Sequence, residues 1–325
     1  MNAPWVTYRP ELTVLDCTIR DGGLINDHQF DNDLVKAVYE TCVEAGLDYM
    51  EIGYRNSKTL FPKEKFGPFR HSDEEDIRRI TGDHDEETTG LKIAVMADAG
   101  KSDWQTDILP RDQSVVDMIR VACYVNQIPE AVEMIHDAHE KGHETSCNLM
   151  AISVVQPAEI DEALEAIVAT PVDVVAVVDS FGALYREQLD ILVRKYLDAV
   201  AGTDKQIAIH AHNNQQLAFA NTIEAIILGA NRIDATMAGL GRGAGNCPME
   251  LLIGFLRNPK FKRRPIWKLL QDHFVKLRET LEWGPLVPYN ITGQQNQHPR
   301  AAMELRAGPD KNNYVDFYDK IVGEI

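Results

Sequence analysis

Short apolar, often β-branched runs alternate with amphipathic helical patterns along most of this chain, and that alternation limits the folds open to it. The strand-like runs are Thr13–Cys17, Tyr49–Ile52, Lys92–Met96, Met118–Ala122, Thr145–Ile152, Val172–Val178, Gln206–Ala211 and Arg232–Ala235. Between them, apolar residues recur three and four apart, as in Leu34, Val35, Val38, Tyr39, Cys42 and Val43, which marks one face of a helix. The same spacing returns in Ala131, Ile135 and Ala138, in Leu189, Leu192, Val193 and Tyr196, and in Leu217, Ala220, Ile223, Ile226 and Ile227. Gly46 and Gly229 stand where helices must stop before the next strand. Eight such units predict a closed (β/α)8 TIM barrel. An open doubly wound sheet is the competing fold, but no GxGxxG follows the first strand.

A length of 325 residues suits a barrel over residues 12–257 followed by an extension over 258–325. Pro259, Lys260–Arg264 and Pro265 read as a linker, Trp267–Trp283 as one helix, and the chain from Gly284 as irregular until a helix near Asn313–Val322. The extension is too short for a core of its own and is expected to pack on the barrel or on a second subunit. A formal net charge of −17 argues against nucleic acid or an anionic membrane as partner. The five cysteines (17, 42, 123, 147 and 247) form no CxxC pair, so a reducing cytoplasm is expected. The first residues, MNAPWVTYRPEL, lack the basic and apolar segments of a signal peptide, and no apolar run reaches the ~20 residues needed to span a bilayer.

Chemistry gathers at the strand ends. His210 and His212 are two apart on one strand and so project to the same face. An Asp from another strand end, Asp21, completes a three-ligand site for a divalent metal. Imidazole with carboxylate suits Mn²⁺, Zn²⁺, Co²⁺ or Fe²⁺, while Mg²⁺ prefers more oxygen; the Asn246 carbonyl can add one. Arg20 can stabilise an enolate oxygen beside the metal, or form a salt bridge to Glu51, or both. Glu51 then orients Arg20 rather than acting as the base. Gly239–Gly245 can bring backbone N–H groups to a carboxylate or phosphate, or simply close the barrel. His136, His139 and His143 fall among charged residues on an outward helix, and Cys17 and Cys247 read as packing residues.

Leu15-Asp-Cys-Thr-Ile-Arg-Asp-Gly22, Glu51, Ile209-His-Ala-His-Asn-Asn214 and Gly239-Leu-Gly-Arg-Gly-Ala-Gly-Asn246 together resemble the DRE-TIM metallolyase superfamily over roughly residues 12–256. That superfamily includes 3-hydroxy-3-methylglutaryl-CoA lyase, 4-hydroxy-2-oxovalerate aldolase and the isopropylmalate and homocitrate synthases. Ile119-Arg-Val-Ala122, Asp179-Ser180 and Arg278-Glu-Thr-Leu281 before Tyr289 bring it nearest to the aldolases. The resemblance implies Mn²⁺ or Mg²⁺ held by Asp21, His210 and His212, with Asn246 matching a ligand of the lyase branch. Arg20 steadies the enolate, and Ser180, His210 and Tyr289 contact substrate. The implied reaction is retro-aldol cleavage of a 4-hydroxy-2-oxo acid through a metal-bound pyruvate enolate.

The sequence departs from the aldolases where they carry a His as base: Leu24 stands there, and an aliphatic chain takes no proton. His28, Tyr289 and metal-bound hydroxide are the candidates for that work. Tyr124 replaces a second aldolase His, and the Gln of the condensing synthases is absent, with Gly23 and Leu24 in its place. A Claisen-type acyl-CoA/2-oxo acid synthase and a metal-binding barrel without turnover are the alternatives to a lyase. A homodimer is expected, with an aldehyde-consuming dehydrogenase as an open hetero-partner.

Overall fold

The computed structural model describes residues 10–323; residues 1–9, on which most of the no-leader expectation rests, lie outside the described residues. The strands are β1 (Thr13–Asp16), β2 (Tyr49–Tyr54), β3 (Lys92–Asp98), β4 (Met118–Cys123), β5 (Glu144–Leu149), β6 (Val174–Asp179), β7 (Gln206–Ala211) and β8 (Arg232–Ala235). All pair in parallel and in sequence order, and β1 closes on β8 in the register Thr13↔Arg232 to Asp16↔Ala235. The fold is the expected (β/α)8 barrel. Helices connect the strands, among them Asn32–Ala45, Ile128–Glu140, Pro157–Val168, Arg186–Val200 and Ala218–Leu228.

Strand periodicity of two divides the residues into two cores. Val175, Val177, Ile207, Ile209 and Ile233 point outward into the main core shared with the helices. Leu15, Tyr49, Met118, Val174, Ala176, Val178 and Ala208 fill the barrel interior. His210 follows Ala208 by two residues and therefore projects into the barrel mouth. In β2 the period is broken by a bulge between Glu51 and Gly53, which rephases the strand so that Tyr54 joins Met96 and Ala122 at the mouth. A Cβ on Gly53 would lie 2.1 Å from the Phe69 carbonyl oxygen, so only glycine lets the strand pass the Pro68–Arg70 turn.

The chain beyond the last strand differs from expectation in three places. The helix beginning at Arg263 passes through a π turn at Leu270–Phe274 and ends at Leu277, short of Trp283. Trp283 is buried beneath the Arg278 guanidinium at 3.9 Å and donates to the Ala238 carbonyl at 3.0 Å. Val287–Gln294 and Arg300–Ala307 are helices rather than irregular chain. Pro288 lies in the first turn of one and Pro299 caps the other, positions that proline favours because its missing N–H has no helical partner there. The helix expected near Asn313–Val322 is present as Tyr314–Val322. These segments lie over the C-terminal mouth: Asn290 Nδ2 donates to Asn214 O at 2.6 Å and Asn296 Nδ2 to Ser153 O at 2.9 Å.

Candidate active site

Asp21 lies in the helical turn Thr18–Gly22 that follows β1, His210 on β7, and His212 just beyond it. One ligand atom from each falls within 4.8 Å of the others, and all three side chains are buried. His210 Nε2 is 3.4 Å and His212 Nε2 3.8 Å from Asp21 Oδ2. Asp234 on β8 faces His210 Nδ1 at 3.0 Å, so the proton sits on Nδ1 and the Nε2 lone pair faces the site. His210 Nε2 and both amide atoms of Asn246 are buried without a hydrogen-bond partner among the described residues. A backbone bridge between His212 and Asn246 brings that amide to the same place. The glycine run passes so near that a Cβ on Gly241 would lie 2.7 Å from Asp21 Oδ1, and the Arg242 N–H donates to that oxygen at 2.9 Å. Unpartnered imidazole and amide atoms around a carboxylate fit a divalent metal.

Electrostatics prepare these groups as ligands. Burial opposes ionisation of Asp21, but His212, Arg20 and His210 outweigh it and hold its carboxyl well below the usual range. Burial pulls the His212 imidazole well below the ordinary histidine value, against the pull of Asp21. Burial also lowers His210, yet the neighbouring carboxylates of Asp21 and Asp234 more than offset it and raise this imidazole. Against its own burial, Asp234 is held down to about 2, chiefly by Arg120.

Arg20 is clamped on two sides. Its Nε donates to Glu51 Oε2 at 2.7 Å and its Nη1 to Asp21 Oδ2 at 2.5 Å, while Nη2 is buried without a partner among the described residues. Arg120 on β4 lies between Glu51, at 2.9 Å, and Asp234, at 2.5 Å. Glu51 sits inside β2 rather than at its end, and with Arg120 and Asp234 it forms a buried floor beneath the ligands.

The cavity above this floor is lined by Arg20, Asp21, His210 and His212 with Leu24, Tyr54, Met96, Tyr124, Met150, Ser180, Phe181, Arg242 and His298. Ser180 lines it, its Oγ accepting the Ala151 N–H at 2.8 Å. His28 and Tyr289 do not. His28 is buried behind Tyr54, edge-on to its ring at 5.4 Å, and is kept neutral by burial and Arg70. Tyr289 packs with Ala244, Ala302 and Phe317, and burial pushes its hydroxyl up to about 12. A roomier groove between the helices Pro157–Val168 and Arg186–Val200 faces away from this chemistry and is crossed by the Lys195–Asp161 pair.

Asp234, Arg242 and His298 were not singled out from the sequence. Asp234 carried a signal, an acid between apolar residues on a strand; Arg242 stands in the glycine run and reaches Asp21 and Ser180 from there, while His298 becomes a site residue only when the tail folds back. Cys17 Sγ lies 3.9 Å from His210 Nδ1, but that nitrogen serves Asp234 and burial keeps the thiol protonated, so it remains a packing residue. His136 and His139 are exposed; His143 is off the helix and buried, bonded to the Val116 and Leu109 carbonyls.

Known proteins resemble this chain in sequence and fold. The model of the HMGL-like family matches residues 11–282. An oxaloacetate decarboxylase of Mycobacterium tuberculosis is 31% identical over 76% of this chain and 70% of its own length. A 4-hydroxy-2-oxovalerate aldolase of Mycobacteroides abscessus is 29% identical over 75% of this chain and 66% of its own. The solved N-terminal domain of a candidate aldolase from Bacteroides vulgatus superposes with a TM-score of 0.76 at 26% identity, over 97% of this chain and 100% of that one. The chain belongs to the HMGL-like family, in the DRE-TIM superfamily of carbon–carbon lyases.

Proposed function

We propose that this protein is a divalent-metal-dependent lyase that breaks the carbon–carbon bond of a 2-oxo acid to leave an enolate, its main substrates being 4-hydroxy-2-oxo acids. Asp21, His210, His212 and Asn246 would hold the ion, with Mn²⁺ or Mg²⁺ the metals to expect. Bound there, such an ion supplies Lewis-acid polarisation of the substrate's keto group. The unpartnered, buried Nη2 of Arg20 beside that ligand set carries the proposal. Its N–H groups are preorganised for an oxygen on which negative charge develops, the arrangement that stabilises an enolate without reorganisation at the moment of reaction. Glu51 and Asp21 fix the guanidinium, and Arg120 and Asp234 fix Glu51 and His210 in turn. Leu24, Met96, Met150 and Phe181 supply apolar walls that limit water at the reacting carbon.

A second reading is decarboxylation of a 2-oxo acid with a β-carboxylate. Leu24 favours it, because loss of CO2 requires no base for a substrate hydroxyl, and the relative from Mycobacterium tuberculosis bears that name. Incubating the Mn²⁺-loaded protein with 4-hydroxy-2-oxopentanoate, 4-hydroxy-2-oxoglutarate and oxaloacetate separates the two: aldehyde with pyruvate marks the aldolase, CO2 with pyruvate the decarboxylase. Release of free thiol from acetyl-CoA and a 2-oxo acid, with neither cleavage, would instead mark a synthase. The working protein on this reading is a homodimer, and a dehydrogenase that consumes the aldehyde is its candidate hetero-partner.

A further inference from the structure

Arg242 projects from the glycine run into the cavity without a carboxylate partner among the described residues. Its Nη2 donates to the Ser180 carbonyl at 2.8 Å, its Nε is buried and unpartnered, and its Nη1 lies 3.1 Å from His298 Nε2. The last contact pairs a donor with a donor. His298 Nδ1 accepts the backbone N–H of Arg300 at 3.0 Å, at the start of the helix Arg300–Ala307, and that N–H cannot turn away. The His298 proton therefore sits on Nε2, beside the guanidinium and with no acceptor for it among the described residues. A neutral imidazole has one lone pair in the ring plane, and the helix start uses it. His298 is neutral at ordinary pH, its value pushed down to about 4 by burial and by the nearby Arg242, Arg300 and Lys101.

We infer that Arg242 and His298 form a clamp for a second carboxylate, so that the substrate is a 2-oxo dicarboxylic acid: one carboxylate and the keto group go to the metal side, the other carboxylate to the clamp. This rests on the 2-oxo acid reading above and narrows it. Bidentate donation from a guanidinium with a third N–H from imidazole is the geometry that recognises a carboxylate. The clamp also explains why the C-terminal segment lies over the mouth, since it delivers His298.

Calorimetric titration of the Mn²⁺-loaded protein with 2-oxoglutarate and with 2-oxopentanoate, equal in chain length but lacking the second carboxylate, tests this directly. Wild type is expected to bind 2-oxoglutarate about 10- to 100-fold more tightly, the range of charge-assisted hydrogen bonds. In Arg242→Gln the ratio falls to about one, Arg242→Lys keeps part of it, and His298→Ala lowers it. Equal affinities in wild type, or a preference that survives Arg242→Gln, would overturn the clamp. If neither compound nor pyruvate binds, the 2-oxo acid reading beneath it fails as well. Should Arg242→Gln not fold, the wild-type ratio and His298→Ala decide.

Discussion

Leu24 occupies the place of a base in the aldolases this sequence resembles, and in the structure it packs beside Tyr54, Met96, Ala122 and Met150 at the cavity wall. The remaining site residues divide by how they could be read. Asp21, His210 and His212 were legible because a two-residue spacing on a strand and an acid at another strand end suffice to suggest a metal. Glu51 and Arg20 were legible as a pair. Asp234, Arg120, Arg242 and His298 were not, because their roles depend on which strands become neighbours and on the return of the tail. For His212→Ala we predict loss of both metal binding and turnover, measured by Mn²⁺ titration and by product release. Asp234→Asn leaves the fold intact but frees the His210 tautomer, and Mn²⁺ affinity falls about 10- to 100-fold. Arg20→Lys keeps the charge and loses the forked donors; turnover falls roughly 10²–10³-fold while Mn²⁺ affinity changes little.

Among the elements, the strands were the most readable, because a barrel strand buried on both faces is largely apolar. Edges were less so: the β2 bulge at Gly53 leaves no pattern in a six-residue strand, yet it sets the direction of Tyr54. Gly53→Ala would drive a methyl into the Phe69 carbonyl, and thermal denaturation should show a loss of about 1–3 kcal/mol. At the end of β1, burial pushes the Asp16 carboxyl up to about 7 despite hydrogen bonds from Thr18. A raised carboxyl binds its proton more tightly in the folded state, so its contribution is complete below the unfolded value near 3.8 and is lost as pH rises through about 7. Asp16→Asn mimics the neutral acid. Its stability relative to wild type, measured by urea unfolding, should grow from pH 4 to pH 8 by up to about 4 kcal/mol; a difference independent of pH would show that Asp16 does not titrate in this range.

At the scale of the whole molecule, eight β/α units close the barrel and bring residues nearly two hundred positions apart, Asp21 and His210, to one mouth. That much follows from counting units in the sequence. The cover of the mouth does not, because the prolines that begin the helices Val287–Gln294 and Arg300–Ala307 read as breaks in a linear pattern. Outside the mouth, Trp267 and Val275 are 53% and 65% exposed near the end of the chain. If the protein is a homodimer through this face, light scattering gives twice the chain mass and Trp267→Glu with Val275→Glu gives a monomer. Both readings of the chemistry share one partial reaction, formation of the enolate of a 2-oxo acid at the Asp21, His210 and His212 site. Exchange of the methyl hydrogens of pyruvate with deuterium oxide, followed by mass spectrometry, isolates it. The Mn²⁺-loaded protein should exchange pyruvate, and the chelator-stripped protein and His212→Ala should not; pyruvate left unexchanged by metal-loaded protein, or exchanged equally without metal, would contradict the site's chemistry.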